Sequence, residues 1–297
     1  MSRDMDKLDA SRSTLHASPP SSRAFTMIEI AISLAVIAFA LVAIMGILPI
    51  GMSVQRDNRQ ETIINQDASI FMDAIRNGDH GLDDLTNYVL AITNYAAQYP
   101  LRGGAPIPLV KGYTYSNSSG TSITYPITNG LRIIGLLSTP KFFVNPVNNN
   151  SFISNHVVAW VRSISGPASE KYPQSNPDIQ QLALSYKLIS EVTPYGTNFF
   201  DPSWTNFTPA AVGLNTNLAI ARSNYMHLVW QFQTNLHDIR LTFRWPLQLN
   251  GDVGPGRYIF RTMAGGNLLA TNDLLDGGIP GPTNLYFFQP RTYVKAP

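Results

Sequence analysis

The sequence predicts an α+β protein: a long N-terminal hydrophobic α-helix packed on a C-terminal antiparallel β-sheet domain. Three patterns carry that expectation. From Ile30 to Ile50 there is no charged residue, which is about the 20 apolar residues a helix needs to cross a bilayer core. Further on, Ile64, Ala68, Phe71 and Ile75 recur at steps of four, three and four, the stripe of an amphipathic helix. Later still, Ile239, Leu241, Phe243 and Trp245 alternate with Arg240, Thr242 and Arg244, the period of a strand with one buried face.

Residues 1–24 read as a leader. They are polar, hold Arg3, Lys7, Arg12 and Arg23, and contain Ser18-Pro19-Pro20-Ser21-Ser22. Basic flanks favour the cytoplasmic side of a membrane span. The apolar run is too long for a secretory h-region, and no small-residue cleavage site ends it. One helix over 25–77 is expected, with 25–54 as its membrane or filament-core part. Its polar collar is 55–61, and Asn77-Gly78 is a stop signal. Pro49 lacks the amide hydrogen and should kink or locally melt the helix. Asp57, Glu61, Asp67 and Asp73 lie off the apolar stripe and read as solvent-facing.

Residues 78–297 read as one β-rich extracytoplasmic domain, large enough to bury its own core. Leu82, Leu85, Val89, Ile92 and Tyr95-Ala96 predict a short helix packed near the first. Residues 103–108 form a loop, and 111–128 read as a hairpin around Asn117-Ser118-Ser119-Gly120. Apolar runs predict strands at 131–137 and 156–164, partial alternation one at 182–192, and a further apolar run one at 225–232. Residues 238–263 form an antiparallel hairpin turning at 250–256. The aperiodic stretch 193–224 is expected to cross the sheet as a long excursion. The tail 267–297 is largely irregular, with 284–289 as an edge strand.

Composition narrows the function classes. Charged residues are 13% of the chain, net charge is +2 and cysteine is absent. Half the usual charge suits an exported domain with polar loops. Near-balance gives no electrostatic footprint for nucleic acid. Without cysteine there is no disulfide framework, thiolate zinc site or thiol nucleophile. The histidines, His16, His80, His156, His227 and His237, have no metal-ligand spacing, and no nucleophile-elbow or phosphate-loop motif occurs. No catalytic residue, metal or cofactor is expected. Asn250 with Asp252, and Asn272 with Asp273 and Asp276, offer oxygen ligands without a calcium-loop spacing. Trp160, Trp230 and Trp245 are expected in the core or on the sheet, and Trp204 exposed.

One stretch is more specific. Ala24-Phe25-Thr26-Met27-Ile28-Glu29, followed by the apolar run, resembles the processing site of type IV prepilins and type II secretion pseudopilins. The family pattern is a Gly, then Phe-Thr-Leu-Ile-Glu, then a long hydrophobic helix. Here Ala24 stands for the Gly and Met27 for the Leu. The likeness covers 23–54, and Leu48-Pro49-Ile50-Gly51 resembles the minor-subunit branch. The resemblance implies cleavage by a prepilin peptidase between Ala24 and Phe25, then N-methylation of Phe25. It implies that Glu29 is an assembly residue, pairing with the amine of a neighbouring subunit, which offsets the burial of both charges. The implied partners are other pilin or pseudopilin subunits, the peptidase, an inner-membrane assembly platform and membrane lipid, with no nucleic acid. The implied place is the bacterial inner membrane, then a periplasmic pseudopilus or a surface pilus. The alternative is a single-pass anchored binding or adhesion domain that uses 193–224.

Overall fold

A computed structural model of the chain describes residues 25–78, 82–100, 113–117, 124–144, 151–169, 182–196, 216–248, 250–275, 277–278 and 280–295. The leader, Ala24, the loop at 103–108, Trp204 and most of 193–224 lie outside them. The protein is α+β, and the chain divides into two compact units, 1–57 and 58–297.

Helix α1, Met27–Asn77, is 51 residues long, about 75 Å at 1.5 Å per residue. It ends where Gly78 turns into the left-handed region at φ 61°, donating its N–H to Ile75 O at 3.2 Å. A side chain there would collide with the Phe288 carbonyl. The chain stays helical through Pro49, so the expected local melting does not occur. In the first unit the described residues are the start of this helix, and its apolar side chains from Phe25 to Val54 are exposed. This helix is long and apolar enough to cross a membrane.

In the second unit the helix is amphipathic in the expected sense. Ile64, Ala68, Phe71 and Ile75 are fully buried, and burying each large side chain contributes about 1.5–3 kcal/mol. Asp67 departs from expectation: it too is fully buried.

The core lies against an eight-stranded sheet of order β3-β2-β1-β5-β6-β7-β8, in which β2 is Tyr113–Ser116 and β3 Thr124–Pro126, with β4 (Phe142–Val144) added on β5. Strands β1 (Val89–Pro100), β5 (Ser151–Arg162), β6 (Ser185–Pro194), β7 (Leu236–Leu247) and β8 (Val253–Gly265) pair antiparallel. The β7–β8 hairpin follows the alternation except at Thr242: Ile239, Leu241, Phe243 and Trp245 are buried and Arg240 and Arg244 exposed, but Thr242, expected on the solvated face, is buried as well. Val157, Ala159, Tyr186 and Leu188 join the same cluster from β5 and β6.

Five expectations are corrected. The helix expected from Leu82 is only a 3-10 turn (Asp83–Asn87), after which the chain extends as the twelve-residue strand β1, antiparallel to β5. The hairpin at 111–128 is not one: β2 (Tyr113–Ser116) and β3 (Thr124–Pro126) pair parallel, so the sheet is mixed. The apolar run 131–137 is helix α2, Gly130–Leu137, started by Asn129, whose side chain accepts from Arg132 N at 2.9 Å. A run of that length is compatible with either element. Residues 225–232 belong to helix α3, Thr216–Asn235. There Tyr225, Val229 and Gln233, four apart, are less exposed than the residues between Tyr225 and Val229. The tail contains the expected strand 284–289 but is not otherwise irregular: it forms a two-stranded sheet, β9 (Asn267–Leu274) with β10 (Pro280–Gln289), turned at Gly277 and Gly278, both at positive φ. Its Leu285, Phe287 and Phe288 complete the core.

Candidate assembly segment and the buried polar anchors

The contiguous motif 25–29 forms a small local structure. Thr26 precedes the first helical residue, and its N–H and Oγ1 both donate to Glu29 Oε2 at 2.9 Å. In return the Glu29 N–H donates to Thr26 Oγ1 at 3.3 Å. This is a capping box, in which a hydroxyl and the carboxylate three residues on satisfy amides at a helix start. The carboxylate also stands at the positive end of the peptide dipoles. Thr26 thus has a role that the reading of the motif did not give it, although Thr-x-x-Glu was legible. Glu29 Oε1 has no hydrogen bond among the described residues. Phe25 is 80% exposed beside it. Phe25 and Glu29 are therefore close together in the chain's geometry, while Ala24 lies outside the described residues.

Further along the same helix, Asp67 is the anchor of the second unit. Its carboxylate accepts from Ile164 N at 3.0 Å, Ser165 N at 2.8 Å and Tyr186 Oη at 2.9 Å. Burial pushes the carboxyl up from its usual range, against hydrogen bonds that pull it down. Burial likewise pushes the Tyr186 phenol well up, with the Asp67 charge adding to it. The helix is thereby joined to the strand end of β5 and to β6 by one side chain.

A second buried network closes the tail. Arg132 on α2 donates Nε to Asp273 Oδ1 at 3.0 Å, and its other nitrogens to Pro126 O, Thr128 Oγ1 and Leu274 O. Tyr115 Oη donates to Asp273 Oδ2 at 2.7 Å. Burial and that carboxylate push the Tyr115 phenol up. Asp273, considered as a calcium ligand, is thus committed to Arg132 and Tyr115. Asn250 and Asp252 bond each other across the β7–β8 turn. Among the described residues no three His, Asp or Glu side chains gather as a metal site. His237 is buried, edge-on to Phe288 at 5.3 Å, and its Nδ1 has no hydrogen-bond partner among the described residues. Burial lowers its pKa to about 4.

Two clefts accompany these networks. One of about 500 Å³ lies between α2 and the β9–β10 hairpin and includes Arg132 and Asp273. The other, about 240 Å³, is lined by Lys141, Glu191, Asp238, Arg240 and Arg261. Its ionisable groups pair with one another: Lys141–Glu191 at 2.6 Å, Arg240–Glu191 at 3.6 Å, Arg261–Asp238 at 2.7 Å. No protein-family profile, curated protein or solved structure matches this chain.

Proposed function

We propose that this chain is a minor pilin-like or pseudopilin-like subunit, anchored by the first half of α1 and then drawn into a filament. Cleavage between Ala24 and Phe25 frees an amine four residues before Glu29. The observation that carries the reading is the motif Phe25 to Glu29 at the head of a 51-residue helix whose apolar first half is exposed. Lipid first, and other apolar helices later, would cover that surface.

Glu29 then has two tasks. It caps its own helix through Oε2, and Oε1 is left for the amine of a neighbour. The pairing makes the burial of both charges tolerable. N-terminal sequencing of membrane-extracted protein tests the first step: a start at Phe25 is expected, and an intact Met1 overturns it. Glu29→Gln tests the second, because glutamine also serves a capping box but carries no charge. Filament incorporation should be lost in that variant while the helix and head stay folded.

A further inference from the structure

The turn between β7 and β8 carries chemistry that anchoring and assembly do not use. Asn is followed by Gly at Asn77-Gly78, Asn129-Gly130 and Asn250-Gly251. In that dipeptide the backbone nitrogen of Gly can attack the side-chain carbonyl carbon of Asn, Cγ, and close a five-membered ring, because no Gly side chain crowds the approach. The three sites share this nucleophile and differ in their surroundings. Asn77 is the last residue of α1, so the helix fixes its peptide planes, and Gly78 is buried against the Phe288 carbonyl. Asn129 caps α2, with Oδ1 accepting from Arg132 N at 2.9 Å. Gly130 is buried there, its N–H donates to Asp83 Oδ1 at 2.9 Å, and a Cβ on it would collide with the Leu82 backbone. Ring closure replaces the hydrogen on the Gly nitrogen by carbon, so it would break that bond and open the start of α2.

The third site is open. Asn250, Gly251 and Asp252 are exposed. Apart from its chain neighbours, no described residue comes within 4 Å of the Cβ position at Gly251, which turns at φ 86°. The Gly251 N–H donates to Gln248 O at 3.0 Å, an exposed bond that water can replace. Asn250 Oδ1 accepts from Asp252 N at 3.0 Å, and Nδ2 donates to Asp252 Oδ2 at 2.7 Å. The first of these bonds draws electrons from Cγ and receives the charge that attack places on Oδ1, as a donor aimed at a developing oxyanion does.

We propose that Asn250 is a self-modification site, at which the folded protein converts asparagine to aspartate and isoaspartate with water as the only co-reactant. The Gly251 nitrogen gives up its proton to water and bonds to Cγ. The Cγ–Nδ2 bond breaks, and Nδ2 takes up a proton and departs as ammonia. Water then opens the ring: cleavage at Cγ leaves aspartate, and cleavage at the main-chain carbonyl carbon of Asn250 leaves isoaspartate. One water enters, one ammonia leaves, and nothing is oxidised or reduced. The product sets a carboxylate against Asp252 where a donor stood, so repulsion replaces the bond that ties the turn. Isoaspartate also adds a methylene to the main chain between β7 and β8. Aged subunits thereby differ from new ones in the charge and the shape of this tip.

The test incubates the folded full-length chain, in zwitterionic detergent at mildly alkaline pH, and follows peptide mass spectrometry and isoaspartyl methyltransferase labelling with time. Asn250 should lose its amide about tenfold faster than Asn77 or Asn129, whose reaction waits on local opening. The same incubation in urea should bring the three rates together. The variant N250Q, whose longer side chain would have to close a six-membered ring, should stay unconverted and keep the parent's thermal midpoint. Four results would each overturn the proposal: an Asn250 that keeps its amide, equal conversion of Asn77 or Asn129 in the folded chain, rates that stay apart in urea, or aspartate formed without isoaspartate. N-terminal sequencing is independent of this result, so failure here leaves the cleavage reading where it stood.

Discussion

The two halves of α1 each carry one carboxylate that matters, and they are held in opposite ways. Glu29 is exposed, and its partners lie within its own first turn: Thr26 supplies both donors. Asp67 is fully buried, and its partners Ile164, Ser165 and Tyr186 stand 97 to 119 residues away in the chain. The first carboxylate can be understood without the rest of the protein. The second is raised by burial and pulled back by the three donors that the head supplies. An acid on a helix is thus a local device or a tertiary one according to what covers it, and sequence spacing alone does not distinguish the two.

The contrast can be broken most severely at Asp67. Asp67→Ala leaves two amides and a phenol without an acceptor and should destabilise the second unit by about 3–5 kcal/mol, since each orphaned buried donor costs about 1–3. Urea unfolding followed by tryptophan fluorescence reads this, and a loss under about 1 kcal/mol would show that water replaces the carboxylate. Acid should come next. His237 has a folded pKa of about 4, below its unfolded value near 6.5, so the unfolded chain binds more protons between those limits. Its contribution is complete above pH 6.5 and is lost as pH falls towards 4, at most about 3 kcal/mol. His237→Leu should flatten the stability profile over that window.

Asp67→Asn sharpens the comparison further, keeping the shape and one acceptor oxygen. It should cost about 1–3 kcal/mol and remove an opposite slope: the raised Asp67 pKa makes its ionisation oppose folding as pH rises above its unfolded value. The smallest effect belongs to the exposed carboxylate. Glu29→Gln should leave the thermal midpoint of the head unchanged, and a shifted midpoint would mean that the two carboxylates are not separate devices.

Legibility followed the same division. The motif 25–29, the stripe Ile64 to Ile75 and the alternation in β7 are contiguous or periodic patterns, and the chain shows them directly. Asp67 reads as solvent-facing because a charge off an apolar stripe ordinarily faces water, and its donors come from the segment after β5 and from β6, about a hundred residues on. Arg132 and Asp273, 141 residues apart, leave no trace in either neighbourhood. Helix α2 is a short run, apolar but for Arg132 and ambiguous by length, that starts at the Asn129 cap; Gly135 lets it close on the tail, since a side chain there would press on Leu285 and Phe287 at 2.7 and 2.8 Å. In α3 the residues Tyr225, Val229, Trp230 and Phe232 favour strands intrinsically, a weak preference that tertiary context overrode. The β9–β10 tail has no regular alternation because its inner residues meet α2 and the core from one side only in part.

The four-bonded Arg132 makes the last thirty residues a plug rather than an appendage. Clip the chain after Gly265 and the guanidinium loses its carboxylate and the Leu274 carbonyl, keeping only Pro126 O and Thr128 Oγ1, while a wall of aliphatic side chains is laid bare. Shortened versions of this protein should therefore vanish from cells altogether instead of surviving as trimmed heads, whereas insertions at the open Gly277-Gly278 tip should pass unnoticed.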